Sequence, residues 1–158
     1  MGKVFSFVAT ISKWTIQLAC FGHLFNQEVF ELSWCNGPSM LPYFEMSGIV
    51  AVEKVSRHFK DYEIGDVLIS SSPHVPGRNV LKRVIGLPGD NICIDPTLPD
   101  RKYINVPEGH VWLGGDNIDN SIDSRMYGPV AMGLVKGKVF AKVWPEPGFI
   151  KNIVTSIA

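Results

Sequence analysis

Hydrophobic positions along this chain follow two rhythms. Residues 4–27, VFSFVATISKWTIQLACFGHLFNQ, are largely apolar and carry one formal charge, Lys13. As a helix, 24 such residues span roughly 36 Å, enough for a bilayer core of about 30 Å. The strictly uncharged run from Trp14 to Gln27 is only 14 residues long. A lysine set deep in lipid costs about 2.5–3.5 kcal/mol on insertion scales, so an imperfect anchor and a buried or interfacial helix both fit. Lys3 precedes the segment, while Glu28 and Glu31 follow it. That bias favours an N-terminus retained on the side of insertion, with the rest translocated. No small-x-small cleavage pattern follows the run. The expectation is an uncleaved membrane anchor with its flanks over residues 1–34.

From Ile49 the rhythm changes to short β-branched runs: IVAVEKV, DVLISS, NVLKRVIG, DNICI, YINV and HVWLGG. Turn signals such as Gly65-Asp66, Pro76-Gly77 and Pro88-Gly89-Asp90 separate them. Such spacing predicts a mainly β, antiparallel sheet or barrel, not alternating βα units. Leu134 to Trp144 reads as a further strand or bent strand pair before Pro145-Glu146-Pro147 stops it. Residues Pro73 to Asn79 and Pro96 to Lys102 read as loops. The β domain is assigned to residues 35–148, with a tail over 149–158. Trp112, Trp144 and Tyr127 read as strand aromatics of the core, and Met40 and Leu41 as either core or a contact to lipid or substrate.

Composition narrows the function. A chain of 158 residues suits one domain with a real core. Fifteen basic and fifteen acidic residues leave no net charge, which argues against nucleic acid as a partner. Cys20, Cys35 and Cys93 form neither a CxxC pair nor a disulfide framework.

Candidate chemistry centres on GPSMLPYF at 37–44, where Ser39 follows Pro38 just beyond the apolar segment. An ordinary turn accounts for these residues. A nucleophile presented at a turn accounts for them too, if a base exists elsewhere. The four histidines lie in the apolar helix or in polar turns, and no GxSxG elbow is present. Lys82 in NVLKRVIG is the other candidate. Strand periodicity puts Val80, Lys82 and Val84 on one face and Leu81, Arg83 and Ile85 on the other. On an edge strand the lysine snorkels; on a buried face its ammonium loses hydration and its pKa falls towards the range of a general base. GLPGD at 86–90 is neither a dinucleotide fingerprint nor a P-loop. Asp116, Asp119 and Asp123 lack the register of a calcium loop.

GPSMLP at 37–42, KRVIGLPGD at 82–90 and GDNIDNSIDSRMYGPV at 115–130 occur in the order of the signature blocks of the type I signal peptidase family, which the chain resembles over essentially its whole length. GHVWLGGDN at 109–117 and Asp-Ser-Arg at 123–125 resemble the mitochondrial inner-membrane members in particular. The resemblance implies a signal-peptidase-like antiparallel β catalytic domain behind the N-terminal helix. It implies Ser39 as nucleophile, its own N–H as oxyanion donor, and Lys82 as general base. Ser121 would orient the lysine, and Asp123 with Arg125 would support the site through a salt bridge. Some bacterial members carry a serine donor two positions before the nucleophile; this chain has Gly37 there. The resemblance further implies a membrane-bound serine endopeptidase that removes N-terminal sorting or signal segments from inner-membrane and intermembrane-space precursors. Inner-membrane lipid and a second homologous protease subunit would be its partners. No metal or organic cofactor is required. Two alternatives stand beside this: a self-cleaving repressor-type protease of similar fold, and a catalytically silent subunit of a membrane protease complex.

Overall fold

A computed structural model describes residues 2–95 and 99–152, and the side chains of the first helix from Thr10 onward. The expected loop at 96–102 therefore falls partly, and the tail beyond Asn152 wholly, outside the described residues. The first element is a long helix, α1 (Gly2–Glu28). Ten strands follow: β1 (Phe30–Asn36), β2 (Ser47–Glu53), β3 (Val67–Ser71), β4 (Asn79–Gly86), β5 (Asn91–Cys93), β6 (Tyr103–Asn105), β7 (His110–Gly114), β8 (Val130–Ala131), β9 (Val135–Trp144) and β10 (Gly148–Phe149). The described residues also hold two one-turn helices, α2 (Ser56–Phe59) and α3 (Ser124–Tyr127), and three short 3-10 turns.

The helix expected at the N-terminus is present. Among the described residues no helix is long and apolar enough to cross a membrane. Ser12, Lys13, Thr15, Gln17, His23, Asn26 and Gln27 interrupt the apolar run. What α1 does present is a stripe. Ile11, Trp14, Leu18, Phe21 and Phe25 recur at steps of three and four and all are exposed.

The strand runs between Ile49 and Trp144 fold as an antiparallel sheet in the order β1-β2-β9-β3-β4-β7-β8, with β10 added against β9; β5 and β6 form a separate ladder. β1 was not expected. Its residues FELSWCN pair over their full length with β2, and this strand crosses the boundary anticipated at residue 34. Polar Glu31, Ser33 and Asn36 interrupt the β-branched signature there.

The sheet curls so that both faces of its middle are covered. Leu68, Val84, Val111, Leu113 and Val130 pack in one cluster, and Met40, Phe44, Val50, Val67, Ile69 and Val139 in another. Strand alternation then gives two buried sides in β4, where Lys82, Arg83 and Val84 are all buried and Ile85 is exposed. Met40 thus belongs to the core. Trp112 is buried, whereas Trp144 is half exposed and stacks on Trp34 with centroids 6.1 Å apart. Leu32 and Phe149 are exposed as well, so this part of the sheet carries several apolar side chains at its surface.

Candidate active site

Pro38–Met40 form a single 3-10 turn between β1 and β2. Proline pre-sets φ for such a turn, and buried Met40 pins its end into the core. Ser39 between them is half-buried. Gly37 enters the turn at φ 136 and ψ 160, a region essentially restricted to glycine. A serine here would be strained, so the side-chain donor found in some bacterial members cannot be restored by substitution alone. That departure is built into the backbone.

Lys82 comes from β4, 43 positions further on, and its Nζ donates to Ser39 Oγ at 2.7 Å. The lysine is 3 % exposed. Burial lowers its pKa from 10.5 to about 8; the field of Asp123 opposes the shift and that of Arg78 adds to it. A neutral amine at hydrogen-bond distance from a hydroxyl is geometrically able to take its proton. The snorkelling alternative does not describe this lysine.

Asp123 is fully buried and ion-paired with Arg125, Nε to Oδ1 at 2.9 Å. Burial pushes the Asp123 carboxyl up, but the hydrogen bonds from Arg125, from the Gly115 N–H and from Ser121 outweigh it and hold it below its ordinary range. Ser121 Oγ is buried beside the Asp123 carboxylate, and no hydrogen bond joins it to Lys82. It crowds Gly115 from one side while the Ser39 carbonyl crowds it from another; a Cβ at 115 would overlap both. So Ser39, Lys82, Ser121, Asp123 and Arg125 converge, with Ser121 against Asp123 and not bonded to Lys82.

Three contacts lay beyond sequence reasoning. Arg83, 1 % exposed, makes a bidentate pair with Asp116 at 2.7 and 2.8 Å, donates to the Gly65 carbonyl, and lies over the Tyr43 ring. Asn117 bonds to the serine turn through side chain and backbone. Tyr43 OH accepts from the Lys151 N–H, which ties the C-terminal segment to the same turn. Asp116 and Asn117 were visible in a signature block, but their partners were not. Among the described residues no group of three or more His, Cys, Asp or Glu is placed to hold a metal.

A cavity of about 250 Å³ opens at the serine. Its walls are Ser33, Trp34 and Asn36 of β1 and Asn79, Val80 and Lys82 of β4. β1 ends the sheet order, and β7 pairs with β4 only from Arg83 onward. Among the described residues each wall therefore presents unpaired strand edge.

An antiparallel sheet that brings a serine and a buried lysine into contact at the edge of a cavity is an arrangement suited to a serine hydrolase. Residues 8–105 and 95–144 match the family described as signal peptidase, peptidase S26. Mitochondrial inner membrane protease subunit 1 of Schizosaccharomyces pombe is 45 % identical over 90 % of this chain and 91 % of its own. The human protein of the same name is 45 % identical over 94 % and 88 %. Subunit 2 from S. pombe is 38 % identical over 81 % and 77 %. A solved signal peptidase I from Enterococcus faecalis aligns over 49 % of this chain and 96 % of its own, at TM-score 0.42 and 25 % identity. The chain belongs to the signal peptidase family, peptidase S26, and is a signal-peptidase-type serine protease.

Proposed function

We propose that this chain removes N-terminal sorting or signal segments from precursors of the mitochondrial inner membrane and intermembrane space, with Ser39 as nucleophile and Lys82 as general base. The observation that carries the reading is the 2.7 Å contact from Lys82 Nζ to Ser39 Oγ, made by a buried amine. An extended precursor adds as a strand along the open edge of β4 at residues 79–82, facing β1. Neutral Lys82 takes the Ser39 proton as Oγ attacks the scissile carbonyl. The protonated lysine returns it to the leaving amine. The acyl-enzyme is then hydrolysed by water that Lys82 deprotonates. The Ser39 N–H faces the developing oxyanion. No cofactor takes part. Asp123 and Arg125 hold the block that carries Ser121, with the carboxylate's charge matched by the guanidinium and kept from dominating the lysine.

Activity depends on the neutral amine, so kcat/KM should rise with pH and level off above about 8. Cleavage of a precursor peptide by detergent-purified protein, scored by mass spectrometry across pH, measures this. A profile flat from pH 5 to 9 would remove Lys82 from the role of base.

Membrane association rests on the exposed stripe of α1 and on Trp34, Trp144 and Leu32 beside the cleft. Lipid and a second homologous subunit are the surfaces that suit them, as the subunit names of the relatives suggest. The catalytic domain would face the intermembrane space. A C-terminal tag should then be protected in intact mitochondria and digested once only the outer membrane is opened; protection in such mitoplasts would reverse the orientation.

A further inference from the structure

We propose that Asn117 aims the oxyanion donor by fixing the peptide unit between Pro38 and Ser39. The inference rests on the peptidase reading above and deepens it. Asn117 holds the serine turn at two carbonyls. Its Nδ2 donates to the Pro38 carbonyl at 3.0 Å, and its backbone N–H donates to the Ser39 carbonyl at 3.1 Å.

The Pro38 carbonyl and the Ser39 N–H belong to one planar trans peptide and point in opposite directions. Pinning the oxygen therefore sets the heading of the N–H. The Leu41 N–H reaches the same oxygen at 3.2 Å, so the carbonyl accepts two bonds. A peptide polarised at its oxygen donates more strongly through its nitrogen. Among the described residues the Ser39 N–H has no backbone acceptor, which leaves it for a ligand.

Gly37 makes this aim matter. Where some relatives add a hydroxyl, this chain has a glycine at φ 136. The Ser39 N–H then takes a larger share of the oxyanion's charge. The turn itself is shallow, with Pro38 exposed and Ser39 half-buried. Asn117 is in turn set by its neighbour Asp116, clamped bidentately by buried Arg83. When Ser39 Oγ bonds to the substrate carbon, the carbonyl π pair moves onto oxygen and the serine proton passes to Lys82. Asn117 touches none of those atoms; it is a positioning residue.

Peptide aldehydes separate this role from others, because Ser39 adds to them and the resulting oxygen occupies the oxyanion position. Asn117→Ala and Asn117→Asp would be compared with wild type for cleavage, for binding of an aldehyde of precursor sequence, and for binding of the reduced-amide peptide. Both variants should lose about 10- to 100-fold in kcat, somewhat less than the ~10²–10³ that deleting an oxyanion donor costs. Aldehyde affinity should fall by the same factor, while KM and reduced-amide affinity stay in place; the acidic limb stays in place in Asn117→Ala and moves to higher pH in Asn117→Asp, whose carboxylate favours the ammonium. Asn117→Asp is nearly isosteric and keeps the backbone bond to Ser39, so it decides the case if the alanine variant fails to fold. Unchanged aldehyde affinity, or equal loss for both peptides, would overturn the role of Asn117. A wild type with neither Ser39-dependent cleavage nor aldehyde binding would instead overturn the peptidase reading.

Discussion

Ser39→Ala and Lys82→Ala should each reduce precursor cleavage by at least about 10⁴-fold, since nucleophile and base act as one unit. Lys82→Arg should fail equally, because a guanidinium stays charged and cannot accept the serine proton. Lys82→Met gives the more telling result, because activity and stability should move in opposite directions. The lysine is 3 % exposed and its folded pKa lies near 8 against 10.5 for the free side chain. The folded state binds fewer protons than the unfolded state between those values, so wild-type stability should rise with pH across that window. Below about pH 8 the buried amine costs the fold about 3 kcal/mol at most. Lys82→Met should therefore be inactive, more stable at neutral pH, and free of that rise. Urea unfolding at pH 7 and pH 10 measures it. A methionine variant no more stable than wild type at pH 7 would mean that the amine is not held in a desolvated site.

Asp116→Ala should cost about 3–5 kcal/mol, the range for breaking one side of a buried ion pair. Its partner Arg83 is 1 % exposed and would keep only the Gly65 carbonyl and the Tyr43 ring. Cleavage should fall as well, because residues 115–117 lose the clamp that sets them against the serine turn. Replacing both partners, Arg83→Met with Asp116→Leu, should recover most of the stability, since an apolar pair leaves no unpaired charge. Recovery of stability without recovery of cleavage assigns the pair to positioning. A single Asp116→Ala variant as stable as wild type would deny it any structural weight.

Much of the strand pattern was legible because Val- and Ile-rich runs between Gly and Pro turns mark their own ends. β1 was not, since its apolar residues Phe30, Leu32 and Trp34 face partly outward and polar residues alternate with them. Ser39 and Lys82 could be picked out because each lies in a short distinctive block. Their contact could not be measured from sequence. Nor could the burial of Arg83 beside Lys82, since alternation predicts one covered face and the curled sheet covers two. Ser121 marks a different limit. The block that contains it predicts that it orients the lysine, yet its hydroxyl lies against Asp123 and makes no hydrogen bond to Lys82. The roles of Asn117 and Tyr43 come from bonds spanning 79 and 108 positions, which no local pattern encodes.

β9 has a consequence for when activity begins. The serine turn hangs between β1 and β2, the lysine sits on β4 beside β3, and β9 is the strand that pairs with both β2 and β3. A chain emerging N-terminus first, from a ribosome or a translocation pore, holds both reactive residues long before it holds the strand that sets them in register. Pairings of such long sequence separation form late and slowly. The register that brings the serine turn to Lys82 is thus completed only once residues 135–144 have emerged.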